Sequence, residues 1–395
     1  RRKMSKIYIF TGKGGVGKSS VAAAHAVKSA LEGKRTILVS TDMAHNLGDI
    51  FEVNPEKEPL TVMENLDIYE IDPEYVMEHD FKDIASCVSN MLSDVQSNDW
   101  SDMGIAPGME ELFSLLKISE IQKEGRYDRI IVDCAPTGET LSLLKFPELL
   151  SWYMEKLFPV GKIAVRLLSP ISKAALRIEL PSKKAMNDIE RLYIKLQELQ
   201  ELFKDRDKTS IRIVTIPEKM VVEETKRNYM YMNLYNYNVD GLYINRVLPR
   251  DIENPFFSQW LQIQEKYMNQ LYESFGMLPI YTIPWYEEEL KGQMAINRMA
   301  KEALRDSDIF DIKTIHEREV FTKNEKGYLL NVILTGADKK DMDLYQSRTD
   351  IVVKLKNFKR NIPLPNILRD YLITSAKLEE GVLHIQFEKG EETHE

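Results

Sequence analysis

The chain has 395 residues, enough for two or three domains and a substantial core. Its 43% hydrophobic and 29% charged content is that of a globular protein, and a formal net charge of −9 argues against a general nucleic-acid binder. Two cysteines, Cys87 and Cys134, lie far apart without a CxxC, so neither a disulfide framework nor a cysteine zinc site is indicated. That usage fits a reducing, cytoplasmic compartment. No apolar run reaches the roughly 18 residues that span a bilayer. The first residues lack a signal-peptide pattern, and Met4, after Arg1, Arg2 and Lys3, reads as a start residue.

The first element is a β-branched and aromatic run, Ile7 to Phe10, which breaks into a loop with glycines at 12, 14, 15 and 17. An Ala-rich helix pattern, VAAAHAVKSALEG, follows at once. Gly12, Gly17, Lys18 and Ser19 meet the spacing G-x-x-x-x-G-K-[ST] in the strand–loop–helix setting that a phosphate-binding loop requires. Glycine lets backbone N–H groups turn inward, and the helix N-terminus adds partial positive charge. The expected nucleotide contacts run from Gly12 through Lys13, Gly14, Gly15, Val16, Gly17, Lys18 and Ser19 to Ser20. Lys18 would reach the β- and γ-phosphates, and the Ser19 hydroxyl would ligate Mg²⁺. Lys13 is an additional cation that an ordinary loop of this kind does not need. It either stabilises charge during phosphoryl transfer, on its own nucleotide or across a dimer interface, or is a solvated surface lysine.

Thr36 to Ser40 reads as a second buried strand, ending in Thr41-Asp42. A carboxylate at the end of a parallel strand beside a phosphate loop sits where open α/β sheets do chemistry. Asp42 would orient the attacking water or hold a water of the Mg²⁺ shell; capping the next segment is its structural alternative. Ile68 to Ile71 reads as a short third strand. Residues 73 to 126 read as helical and mixed, with PEYVMEHDFKDIASCVSNML amphipathic and Ser97 to Gly108 a loop. Tyr127 to Cys134 is a clear strand that delivers Asp133 in a Walker-B-like position, placed to polarise Mg²⁺-bound water or to cap the turn. APTGETL follows, with Gly138 able to permit a nucleotide-dependent rearrangement.

From Lys145 to about Phe203 the chain is strongly apolar, broken by Pro147, Pro159 and Pro170 and interleaved with cations. It reads either as a surface that receives a hydrophobic client or as ordinary helical core or dimer contact. Ile211 to Ile216 is a strand that runs into Pro217-Glu218. Gly241 to Pro249 is another, with Asn245 near its end, placed to read an adenine edge or to stabilise a turn. Leu278 to Pro284 is the last strand of the alternating series, followed by Trp285. This alternation predicts an α/β fold: a doubly wound, mainly parallel sheet over 4–306, with a helical subdomain at about 145–204. Beyond Glu317 the pattern turns to period two, which predicts an antiparallel β-sandwich over 315–389 and an acidic tail at 390–395.

The phosphate loop, TDMAHNLGDIF, DCAPTGETL, LYINRVLP and IPWYEEELKG, in that order, resemble the ArsA family of deviant-Walker ATPases over roughly residues 6 to 305. That family includes arsenite-pump ATPases and the ATPases that target tail-anchored membrane proteins. The resemblance implies ATP and Mg²⁺ as cofactors. It places Lys13 as the lysine that acts across a homodimer, Asp42 as the water-activating switch-one aspartate, and Asp133 as the switch-two aspartate near Mg²⁺. It also makes Glu218 and Asn245 nucleotide contacts and Pro284 with Trp285 the adenine-pocket loop. Region 145–204 resembles the subdomain that forms a client groove in the targeting branch. A-x-L-x-x-G-V-L-x-I, carried by Ala376, Leu378, Gly381, Val382, Leu383 and Ile385, resembles the α-crystallin-type domain appended in some members.

Departures are Met43 where a proline is common, the missing CxxC, and a single ATPase half. The single half predicts a homodimer. The leading expectation is an ATP-hydrolysing switch that binds hydrophobic membrane-protein segments, with a transient membrane partner and no nucleic acid. The alternatives are an energy-coupling ATPase of arsenite efflux, for which Cys87 and Cys134 are too few for a trithiolate site, and a holdase regulated by ATP. A membrane-positioning role lacks a terminal amphipathic helix.

Overall fold

The computed structural model describes residues 5–42, 46–86, 109–135, 138, 140, 142, 144–145, 183–306, 308–316, 321–347, 350–356 and 358–390. The expected loop at Ser97 to Gly108, Met43, Cys87, most of the apolar region 145–182 and the end of the acidic tail lie outside them.

An eight-stranded sheet forms the centre, in the order β3-β4-β2-β5-β1-β6-β7-β8. Its strands are β1 (Lys6–Thr11), β2 (Thr36–Ser40), β3 (Leu60–Met63), β4 (Leu66–Glu70), β5 (Arg129–Asp133), β6 (Thr209–Thr215), β7 (Val239–Val247) and β8 (Ile280–Pro284). Every neighbouring pair is parallel except β3 with β4. The sequence reading of one strand at 68–71 missed this hairpin. Its turn passes through Asn65 at φ 66, and β3 is a half-exposed edge strand without a buried apolar run.

Alternate residues of β1 serve opposite layers, as a period of two demands. Tyr8 and Phe10 pack with α1 (Lys18–Leu31), α2 (Asn46–Phe51) and the C-terminal helix of this unit, while Ile7 and Ile9 join the other face. On α1, Ala22, Ala23, Ala24 and Ala26 are fully buried; their small side chains let the helix lie close on the sheet. The remaining helices are α3 (Pro73–His79), α4 (Met109–Glu124), α5 (Lys183–Lys204), α6 (Lys219–Leu234), α7 (Pro255–Phe275) and α8 (Gly292–Glu302). The stretch that reads as one amphipathic helix from residue 73 stops at His79 and resumes at 82–86.

The C-terminal strands are β9 (Thr322–Lys323), β10 (Tyr328–Ile333), β11 (Met342–Gln346), β12 (Asp350–Leu355), β13 (Phe358–Pro363), β14 (Tyr371–Glu379) and β15 (Val382–Lys389). They form two antiparallel sheets, β14-β15-β10-β9 and β11-β12-β13. Leu330, Val332, Leu383, Ile385 and Phe387 of one sheet and Ile351, Val353, Leu355 and Ile362 of the other are buried in a core continuous with one face of the large sheet. Among the described residues no helix is long and apolar enough to cross a membrane.

Candidate nucleotide site

The carboxyl ends of β1, β2 and β5 lie side by side. Phe10 and Ser40 are both in register with Asp133. The next backbone groups continue the alignment: Thr41 N–H donates to Asp133 O at 3.0 Å, and Cys134 N–H to Phe10 O at 3.1 Å. This brings Thr11, Asp42 and Asp133 to one rim, with the glycine loop above it.

Two glycines show why the loop has its shape. A Cβ on Gly12 would meet Val214 O of β6 at 2.2 Å, so the chain passes over the neighbouring strand with no room for a side chain. At Gly17 (φ 88) a Cβ would meet Asn245 Nδ2 at 2.5 Å. Gly17 also caps α1 without any side-chain hydrogen bond, which leaves the first N–H groups of the helix for an anion. Gly14 and Gly15 are exposed, with open space where a Cβ would stand. Lys18, Ser19 and Ser20 form the first turn of α1; Lys18 is buried and the two serines are half-buried.

Asp133 is the chemical centre of the rim. It is fully buried, and neither carboxylate oxygen accepts a hydrogen bond of ordinary geometry. Burial pushes its pKa up to about 7; the Ser19 hydroxyl and the Lys18 ammonium pull it down, and Asp42 pushes it further up. The hydroxyl oxygens of Thr11 and Thr41 are likewise buried and, among the described residues, make no hydrogen bond of ordinary geometry. A hard divalent cation fits this set: an under-compensated carboxylate, a second carboxylate and a hydroxyl, all oxygen donors. Among the described residues no group of three His, Cys, Asp or Glu side chains gathers, so a cation here would draw its other ligands from phosphates and water.

The other expected contacts are distributed around the loop. Asn245 is buried; its Nδ2 donates to Val16 O at 2.8 Å, and its Oδ1 accepts from Arg246 N–H at 2.9 Å. It therefore holds the phosphate loop directly, whatever it does for a base. Glu218 is an exposed N-cap of α6 whose side chain makes no cap bond. Pro284 ends β8, and Trp285, 53% exposed, donates its backbone N–H to Val247 O at 2.9 Å, beside the end of β7. Lys13 is half-buried, with Nζ 3.5 Å from Glu224 Oε2 on α6. Sequence reasoning missed Thr11, Thr41 and Glu224. The two threonines were open to discovery, since each stands at a strand end next to a motif residue. Glu224 carries no such signal.

Cys134 is fully buried, and burial pushes its thiol up to about 12. A cleft of about 600 Å³ lies at the opposite end of the sheet, between α4, α5 and residues 205–208. Its Lys123–Glu198 and Lys208–Asp205 pairs neutralise each other, and it takes no part in the site.

Strand, glycine loop and helix, with Lys18, Ser19 and Asp133 converging, define a P-loop nucleoside triphosphatase. The match to known proteins is more specific. The family model described as anion-transporting ATPase covers residues 5–305, and that described as an HSP20-like domain found in ArsA covers 325–387. The chain belongs to the ArsA ATPase family. A putative arsenical pump-driving ATPase of Chlorobaculum tepidum is 34% identical over 388 residues, 97% of this chain and 96% of its own. A putative arsenical pump-driving ATPase 1 of Aquifex aeolicus is 33% identical over 396 residues, 96% of this chain and 99% of its own. ATPase GET3 of Kluyveromyces lactis is 31% identical over 335 residues, 79% of this chain and 94% of its own. The expected fold class, a mostly parallel P-loop sheet with an antiparallel C-terminal unit, and the expected ATPase activity both hold.

Proposed function

We propose that this ATPase is a homodimeric, Mg²⁺-dependent switch that captures hydrophobic segments of client proteins and releases them on hydrolysis. The nucleotide chemistry follows from the rim. The loop N–H groups, Lys18 and the start of α1 hold the phosphates. Ser19, Asp42 and Asp133 would hold a divalent cation and its waters, and such a cation would supply neutralisation of phosphate charge. Asp42 orients the attacking water and accepts its proton. Lys13 adds charge stabilisation to the transferred phosphoryl group, its own or that of the partner protomer.

The observation that favours a protein client over arsenite is the state of Cys134. A soft metalloid is held by thiolates, and this sulfur is fully buried and kept protonated. The apolar sequence between residues 145 and 204 supplies a candidate client surface. The arsenite reading has its own support in the names of the Chlorobaculum and Aquifex relatives.

One experiment separates them. ATP turnover is measured on the purified chain with arsenite, with antimonite, or with a detergent-free hydrophobic helical peptide. Stimulation by the peptide, unchanged after Cys87→Ser and Cys134→Ser, is the expected result. Stimulation by arsenite that disappears with those serines overturns it.

A further inference from the structure

Helix α6 touches the phosphate loop near one end and the C-terminal β-sandwich at the other. Near its amino end, Glu224 pairs with Lys13 at 3.5 Å. The next residue, Thr225, fastens this turn to the sheet: its hydroxyl lies 2.8 Å from that of Thr215 on β6 and donates to Val221 O at 2.8 Å. At the carboxyl end, strand β13 grips the helix through three contacts. The Tyr231 and Phe358 rings lie with centroids 3.7 Å apart. Arg360, buried although it sits in a small β-sandwich, donates from Nη1 to Leu234 O. The Tyr235 hydroxyl, one residue beyond the helix, donates to Lys359 O at 3.2 Å. Glu224 and Tyr231 are seven residues apart, about 10 Å along one helix.

Such contacts are more than a tether requires. Arg360 satisfies one of the last carbonyls of α6, an acceptor that would otherwise look to water. Phe358 covers Tyr231 on the same turn. These contacts tie β13 to the last turn of α6.

We propose that α6 is a rigid link through which the β-sandwich sets the position of Lys13, with Glu224 as the positioning residue. This rests on the reading of Lys13 as a stabiliser of phosphoryl charge. Glu224 holds Lys13 against α6. Lys13 is used only when that pair opens, so the grip of β13 on α6 governs how readily it opens. The sandwich thereby adjusts the turnover of the active site through α6.

The test is a double-mutant cycle on the full chain, read by steady-state ATP hydrolysis. Glu224→Gln is expected to raise kcat and kcat/KM alike, by about threefold, the scale of a half-exposed ion pair. Phe358→Ala is expected to raise both by about twofold and to add nothing in the Glu224→Gln background. A merely structural role for Phe358 would not vanish with a distant carboxylate. Additive effects, or no change in Glu224→Gln, overturn the link. If Phe358→Ala does not fold, Tyr235→Phe, which removes only the hydroxyl bonded to Lys359, is read in the same cycle with the same two outcomes. Lys13→Ala keeps the two readings apart. Undiminished turnover in that variant sinks the catalytic reading of Lys13. An inactive Lys13→Ala together with additive Glu224 and Phe358 effects sinks the link alone.

Discussion

At the carboxyl end of β1, β2 and β5, the side-chain oxygens of Thr11, Thr41 and Asp133 are buried and, among the described residues, make no hydrogen bond of ordinary geometry. Towards the amino ends of β6 and β7, Arg212 and Asp240 are buried as deeply, and both are engaged. Arg212 Nε donates to Ser210 Oγ at 3.1 Å and lies 3.6 Å from Asp240; its Nη1 reaches Tyr243 Oη at 3.1 Å and Ile309 O. Asp240 accepts from Ser210 and from Lys313 N–H. The chain continues inward. The Tyr243 hydroxyl donates to His25 Nε2 at 2.9 Å, and His25 Nδ1–H donates to Val21 O at 2.7 Å. Tyr8 donates to Phe310 O at 2.6 Å, which pins residues 309–313 across this end of the sheet. One end is polar burial completed by the protein. The other is polar burial left for a ligand to complete, and it is the costlier arrangement until the ligand arrives.

The strongest way to break this contrast is to damage the completed end. Asp240→Ala leaves the Arg212 guanidinium buried with part of its compensation gone. A loss of about 3–5 kcal/mol in urea unfolding is expected. A loss below about 1 kcal/mol would show that the network is decorative. At the ligand end, Asp42→Asn is expected to lower kcat for ATP by about 100-fold or more while leaving the urea midpoint nearly unchanged. A near-normal rate removes Asp42 from the water-orienting role.

A third variant sets the two ends directly against each other. Asp133→Asn keeps the shape and removes a buried charge that Ser19 and Lys18 only partly compensate. Without Mg²⁺ and nucleotide it is expected to be more stable than the parent by about 2 kcal/mol, because an under-compensated carboxylate is relieved. With Mg²⁺ and ATP the order reverses, since the added stabilisation depends on that carboxylate. If Asp133→Asn destabilises the ligand-free chain, the rim is not under strain.

The sequence exposed these two ends unequally. The ligand end is written in short-range patterns. The Gly12–Ser19 spacing, the run into Asp133 and the strand that delivers Asp42 each fall within a few residues, because phosphate chemistry needs loops at strand ends. The completed end is written across the chain. His25 meets Tyr243 across 218 positions, and Arg212 meets Ile309 across 97. In the sequence His25 is one residue of an Ala-rich helix, and Arg212 stands between Ile211 and Ile213 in a strand. Nothing local announces either partner. The β3–β4 hairpin was missed because an edge strand needs no buried apolar run. Glu224 was missed because only the folded chain brings it to Lys13.

The smallest predicted effect tests whether His25 belongs to the completed network as a neutral ring. Full burial, and secondarily the nearby Arg212 charge, hold its pKa well below the ordinary 6.5. The unfolded chain therefore takes up a proton as pH falls through about 6.5, and the folded chain does not. Protons bound by the unfolded state favour unfolding. The contribution of His25 is thus fully present above pH 6.5 and is lost as pH falls towards the lowered folded value. His25→Gln removes the titration and keeps a side chain that can hydrogen-bond. Between pH 7.5 and 5.5 the unfolding free energy of the parent is expected to fall more than that of the variant by about 1.4 kcal/mol, one pH unit below the ordinary histidine value. His316, which is also lowered, and Asp133 and Asp240, which are raised, titrate in both chains and cancel in the difference. Parallel pH profiles would mean that the folded protein lets His25 protonate. The ring would then have to exchange its hydrogen bond from Tyr243 for a donor–donor clash, and the completed end of the sheet would be open to water after all.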